Sequence, residues 1–595
     1  MWAWSGRLCD IVALAMKSTI ASSVALLLAS AAWAASSIAV DESRSPLRPW
    51  IERYTLDHAT LEHAYRVEGG KNRAEHFRAF LREWQERLRS LPFETLTGDG
   101  RIDYVLFENL IEHELGSLDL QDQRRAEMAP LLPIAGEVAA LEEAQEAMKP
   151  LDAAQTAAEL DRWAKLVNSM RKTMEAGLTA AASSAHPAPP VSKTVAFRAS
   201  GAAGRMRDSL KQWFSFYNGY DPLFTWWVSE PYQALDQSLK DYAGFLREKI
   251  AGAADEHAII GDPIGRAALL AELKYEMIPY TPEELIDIGN RELAWCEAEM
   301  KRASRELGYG DNWHQALEHV KTLHVEPGKQ PELIRQLALE AVDFLDRHDL
   351  VTIPPLARES WRMRMMSPEA QLVNPFFLGG EDIIVAFPTN TMTEEAKRMS
   401  MRGNNIHFAR ATVFHELIPG HELQGFLADR YRSYRQAFAT PFFVEGWALY
   451  WEMLFWDLDF QKSPENRIGM LFWRMHRCAR IIFSLSFHLG KMTPQQCIDF
   501  LVDRVGHERD NATAEVRRSF AGDYSPLYQC AYLLGGMQLM SLHRDFVDAG
   551  KMKNREFHDR ILREGPIPVE MIRADMSGQM PRRNFQTAWR FYNPK

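Results

Sequence analysis

Cysteine is scarce. Five in 595 residues cannot make a disulfide framework, and Cys296, Cys478, Cys497 and Cys530 nowhere form a CxxC pair that would hold zinc through sulfur. They read as buried free thiols. Basic tracts are missing too. The 69 Lys and Arg against 80 Asp and Glu leave a net charge of −11, which argues against a nucleic-acid groove or an anionic membrane surface as the main partner. No repeat of solenoid period is found, and beyond the first forty residues no stretch is apolar for the ~20 residues that a membrane span needs. What is there is core material. With 46% hydrophobic and 11% aromatic residues the chain has the composition of a large packed body, not of a disordered one.

The N-terminus carries an address. From Met16 the chain reads MKSTIASSVALLLASAAWA, a lysine, an apolar run and then Ala32-Trp33-Ala34, the small-x-small pattern of a signal-peptidase site. Residues 1–34 are therefore expected to be a signal peptide cleaved after Ala34, with Met16 as a possible true start because Arg7 and Asp10 fit a signal's first segment poorly. The mature chain from residue 35 is expected in the periplasm or outside the cell, without stable membrane insertion.

Apolar residues recur at steps of three and four, as in Phe77, Phe80, Leu81, Trp84, Leu88 and Leu91, or Leu285, Ile288, Leu293, Cys296 and Met300. This is helical periodicity, and it predicts a mainly α protein. Thr281-Pro282-Glu283-Glu284 predicts a helix start, with Thr281 as cap, Pro282 at the first helical position and Glu284 closing a capping box. The Ala-, Ser-, Pro- and Gly-rich stretch 176–204 is expected to be a loop or lobe boundary within a single domain 35–595. One run breaks the pattern. Ile383 to Phe387, between Gly379-Gly380 and Pro388-Thr389-Asn390, predicts a short strand, part of a small sheet whose edge could pair with an extended peptide, with Asn390 as a polar contact.

Four His-Glu pairs occur, at His113, His415, His421 and His507, and one is followed closely by a second histidine in His415-Glu416-Leu417-Ile418-Pro419-Gly420-His421. In the HExxH zinc motif two histidines four apart share a helix face and the glutamate serves the metal-bound water. Here the fourth position is Pro419, and His421, six residues on, would be turned about 240° from His415 on a regular helix. Pro419 and Gly420 are residues that break a helix, so a break there would bring His421 round. A catalytic zinc takes about three protein ligands. Glu445, opening the aromatic stretch Glu445 to Glu452, is a carboxylate that a metal would offset on burial, and it completes the set with His415 and His421. Glu452, seven residues on, falls on the same face and is expected behind a ligand or in helix packing. His407 is expected near the site, whereas His488, His507 and His543 show no partner in sequence.

The stretches HELIPGHELQ and EGWALYWE resemble the bacterial family known as domain of unknown function 885, whose members carry HExxPGHxxQ and then EGWAxYxE. The resemblance extends from about Trp50 to the C-terminus. More distantly, the arrangement is similar to neurolysin-like oligopeptidases and angiotensin-converting enzyme. That similarity implies a two-lobed helical body with a deep channel and a small sheet edge beside the site. The family pattern implies Zn2+ on His415, His421 and Glu445, with Glu416 as general base. Gln424, inside the motif, is expected to hydrogen-bond a ligand or the backbone. The segment from Glu515 to Gly535 resembles the family's Arg and Tyr-x-x-Gly pattern, which implies Tyr532 as an oxyanion donor and Arg518 as a carboxylate binder. The usual Pro-Gly-Gln is replaced by Pro526-Leu527-Tyr528.

The function expected is an exported zinc peptidase acting on short peptides. The alternatives are an amidase for non-peptide or cell-wall amides, and a non-catalytic binding protein with a structural metal. The retained Glu416 counts against the last, because a structural zinc is usually closed by four protein ligands and has no use for a base.

Overall fold

The computed structural model describes residues 45–182, 191–255, 258–371, 376–520 and 524–593. The expected signal segment, Met16 to Ala34, lies outside the described residues. From Arg44 onward the chain forms one compact unit, and it is mainly helical, as the periodicity predicts.

Three long helices, α1 (Ala153–Ala182), α2 (Lys193–Tyr217) and α3 (Pro222–Phe245), build a core of their own around Leu160, Trp163, Trp213, Phe224, Leu235 and Tyr242. The entry to α3 is fixed locally. Asp221 accepts the Leu223 and Phe224 amides, and Pro222 stands in the first turn, where its missing N–H costs nothing. This second core runs from Met128 to Ala251. Of the stretch 176–204, residues 176–182 end α1 and residues 193–204 begin α2, while its Ser- and Pro-rich centre, 183–190, lies outside the described residues.

The main core is larger and carries the site. α4 (Pro282–Glu306) begins with the predicted capping box of Thr281 and Glu284. It lies against α9, described below, where a Cβ on Gly289 would come within 3.3 Å of the Cys478 carbonyl oxygen. α5 (Gln330–Arg347) leads to the one sheet of the described residues, β1 (Arg362–Met365) parallel to β2 (Asp382–Val385) in the register Met363 to Ile383. Ile383 and Val385 pack on Ile334, Leu337, Ala409 and Val413, which joins the sheet to α5 and to α6 (Ile406–Glu416). After α6 come α7 (His421–Ala428), α8 (Pro441–Asp457), α9 (Pro464–His488), α10 (Arg509–Phe520) and α11 (Tyr528–His543). From Ile468 to His488 every residue of α9 is buried, so α9 is a central shaft surrounded by its neighbours. Cys296, Cys478, Cys497 and Cys530 are buried free thiols. No helix of the described residues is long and apolar enough to cross a membrane.

Candidate metal centre

The site begins where α6 stops. Its last residue is Glu416, and Leu417 leaves helical geometry at φ −104°, ψ −114°. The Gly420 amide reaches back to the Phe414 carbonyl at 3.0 Å, a loop six residues wide, and α7 starts at His421. Only glycine fits at 420, because an added Cβ would collide with the His415 carbonyl oxygen. The predicted break at Pro419-Gly420 is thus present. It brings the His415 and His421 rings to 5.0 Å, nearly perpendicular at 86°.

The break is held by the second motif. The Trp447 indole N–H, on α8, donates to the Pro419 carbonyl at 2.8 Å, and the Gln424 amide donates to the Phe443 carbonyl at 3.3 Å. Gln424 therefore bonds the backbone of α8. Glu445, one turn into α8, places Oε2 at 3.2 Å from Nε2 of His421 and 3.7 Å from Nε2 of His415. One ligand atom from each of the three residues lies within 4.8 Å of the others. Buried Glu445 Oε2 finds no hydrogen-bond partner among the described residues, the condition of an atom that a cation would satisfy. Two imidazoles and a carboxylate are donors that suit zinc.

Around the three donors the groups are ordered by hydrogen bonds. His415 Nδ1 meets Glu452 Oε1 at 2.7 Å, which turns Nε2 toward the cluster and places Glu452 behind His415. Burial opposes a charge on His415, but the carboxylates of Glu445 and Glu452 overcome it and raise its pKa to about 9. Burial also works against the Glu445 carboxylate, yet His421 and His415 hold its pKa well below the usual range. Glu416 differs. Burial raises its pKa, only partly offset by the two imidazoles, and its Oε2 stands 4.0 Å from Nε2 of His421. Gly379 lies so close that an added Cβ would strike this carboxylate.

These groups face a cavity of about 560 Å³ whose lining runs from Phe376 to Pro566 in sequence and takes nothing from the second core. Tyr532 lines it, its ring 6.2 Å from that of His415, and burial raises its pKa to about 12. Arg518 lines it as well. Several lining residues escaped the sequence reading. Tyr528 donates to Glu445, and Arg477 and Arg480 of α9 form one wall. The Tyr528 signal was the replacement of the usual Gly-Gln by Leu527-Tyr528 at the start of α11; the arginines had none.

Asn390 is not brought to the cavity. It is exposed in the turn after the strand. Nor does β2 offer a free edge at Ile384, whose amide and carbonyl are both taken by Leu378, at 2.8 and 3.0 Å. The segment Phe376 to Gly379 lines the cavity, together with Ile384 of β2 itself. His407 bonds Asn466 at 2.7 Å and stays outside the cluster. His507 and His543, partnerless in sequence, bond His476 at 2.9 Å and Asn554 at 2.8 Å.

The model of a family described as "Bacterial protein of unknown function (DUF885)" matches residues 67–576. No match is found among curated proteins. Two solved structures share the fold. One, described as "a putative lipoprotein of unknown function from Shewanella oneidensis", is 18% identical, with a TM-score of 0.64 over 89% of this chain and 98% of its own. The other, described as "the putative lipoprotein from Colwellia psychrerythraea", is 15% identical, with a TM-score of 0.57 over 90% and 98%.

Proposed function

We propose, for a chain that belongs to the DUF885 family of bacterial proteins of unknown function, an exported zinc-dependent peptidase that hydrolyses short peptides. The observation that carries this reading is the convergence of His415, His421 and Glu445 beside the buried carboxylate of Glu416 in one cavity. Three protein donors leave room for a water, whereas a structural zinc is usually closed by four. Zinc held there would supply a Lewis acid and lower the pKa of a water at neutral pH.

The chain's own groups divide the remaining work. Glu416, whose pKa burial raises above the usual carboxylate value, takes the proton of the attacking water and delivers it to the departing amine. Glu452 holds His415 in the tautomer that presents Nε2. Tyr532, kept protonated, offers its hydroxyl to the oxyanion as charge develops. Gly379, lacking a Cβ, packs against Glu416 without displacing its carboxylate. Export is supported by the Met16 to Ala34 sequence and by the lipoprotein descriptions of the two similar structures.

The test is metal analysis of the purified protein together with digestion of a mixed library of short peptides. Stoichiometric zinc and cleavage by the native chain, with zinc retained but cleavage lost in Glu416→Gln, are expected. A native chain that binds zinc and leaves every peptide and amide intact would sink the reading.

A further inference from the structure

The cavity wall opposite in character to the metal ligands is built from arginine. Arg477 and Arg480 project from α9 and Arg518 from α10, and all three line the cavity that holds His415 and Glu416. They are deeply placed, with side chains 6%, 3% and 11% exposed. Buried cations need anions, since an unpaired buried charge is costly. The protein supplies too few. Glu515 accepts from Arg480 Nε at 2.6 Å and lies 4.0 Å from Arg518. Glu452 stands 3.8 Å from Arg477 but is engaged with His415 Nδ1. Three guanidinium nitrogens, Arg477 Nε, Arg480 Nη1 and Arg518 Nε, are buried and find no hydrogen-bond acceptor among the described residues.

Aromatic rings hold this wall at a set distance from the metal donors. The Arg477 and Arg480 guanidiniums sit 4.5 and 4.4 Å from the centre of the Tyr532 ring, whose own centre is 6.2 Å from that of His415. Each guanidinium is thus at most ~11 Å from the imidazole, about three residues of extended chain. Arg518 is fixed at the other end by donating to the Tyr524 hydroxyl at 2.9 Å, and Tyr524 packs on Tyr528 at 4.3 Å.

We propose that Arg477, Arg480 and Arg518 form an anion-binding wall that receives a carboxylate of the substrate within about three residues of the scissile bond. The inference rests on the peptidase reading above and narrows it to substrates that are acidic near the cut, foremost those ending in a free α-carboxylate. Planar carboxylates match the forked donors of arginine. A main-chain carboxylate and a Glu or Asp side chain present the same chemistry, so the two sources are separated by experiment.

The unmodified protein is offered matched short peptides: one with a free C-terminus, its C-terminal amide, and an amide whose last residue is Glu. The free acid is expected to be cut with a kcat/KM about 10- to 100-fold above its amide, the range of a lost charged hydrogen bond. If the Glu amide recovers the rate, the wall also reads side chains; if it stays slow, the α-carboxylate is the ligand. Either supports the proposal, and equal cleavage of acid and amide overturns it while leaving the peptidase reading standing. Should no peptide be cut, the peptidase reading fails and binding decides. N-acetylphenylalanine, but not its amide, should raise the melting temperature of the native chain, and Arg477→Gln or Arg518→Gln should lose that shift. No shift with either compound overturns the wall.

Discussion

The second core and the site half of the main core are both packed helices, yet they bury different things. Between Met128 and Ala251 the buried polar side chains among the described residues are Thr156 and Ser238, and none is charged. From Asn404 to Glu570 the buried set includes Glu416, Glu445, Glu452, Arg474, Arg477, Arg480 and Glu515. Burying apolar surface stabilises at about 25 cal/mol per Å² with no geometric demand, whereas buried charge must be matched group by group. The second core is therefore explained by stability alone. The site half tolerates a costly interior because those groups hold one another, and something further, in place.

The sharpest way to break the comparison is to remove one charge from the site and one apolar group from the second core. Glu416→Gln should lower turnover roughly 10²–10⁴-fold while zinc content and melting temperature stay near native, read by steady-state kinetics with metal analysis. His421→Ala should lose metal and activity together, since two remaining donors hold zinc poorly. If it keeps stoichiometric zinc, the second ligand lies elsewhere. Leu235→Ala in the second core should do the reverse. It should cost about 2–5 kcal/mol in urea unfolding and leave zinc binding by the folded fraction intact.

Smaller effects sharpen the contrast. Glu452→Gln should weaken zinc about 10- to 100-fold by freeing the His415 ring, measured by competition with a chelator. Acid should act on the main core and spare the second, in which no histidine is buried among the described residues. His507 and His558 are held neutral by burial with pKa values of about 3, and His488 with one of about 4. Because these folded-state values lie below the unfolded value near 6.5, the unfolded chain takes up protons first, and stability falls as pH drops from about 6.5 toward 4. His558, which meets the Tyr450 hydroxyl at 2.6 Å and the Leu350 carbonyl at 2.7 Å, should account for up to ~1.4 kcal/mol per pH unit of that slope. Urea midpoints at several pH values should be flatter in His558→Gln.

The convergence of His415, His421 and Glu445 was legible because these residues lie in two short runs whose chemistry is local. His415, Glu416 and Pro419-Gly420-His421 state both the donors and the break, and Glu445 stands out as a charge in an aromatic stretch. The capping box at Thr281 was legible for the same reason. The arginine wall was not. Arg477 and Arg480 are three apart on α9, the spacing of any solvated helix face, and their burial depends on helices far away in sequence. Asn390 failed in the opposite way, since nearness to a strand in sequence did not carry its side chain to the cavity. The strand itself was legible from its β-branched residues, but Leu378 closing its edge was a tertiary event.

One contact sets the terms on which this site can change. α8 and α11 meet at Gly446 and Gly535, where a Cβ on Gly446 would fall 2.6 Å from the Gly535 Cα. The neighbour of Gly446 is the candidate ligand Glu445, and Tyr528 and Tyr532 ride on α11. Main chain rests on main chain, so the spacing between ligand and hydroxyl donors is gauged by atoms that every sequence shares. The arginines of α9 and α10 can be exchanged for other side chains without touching that spacing. The gauge itself admits no such trade, because a methyl group at either glycine would move the ligand and the tyrosines apart in a single stroke.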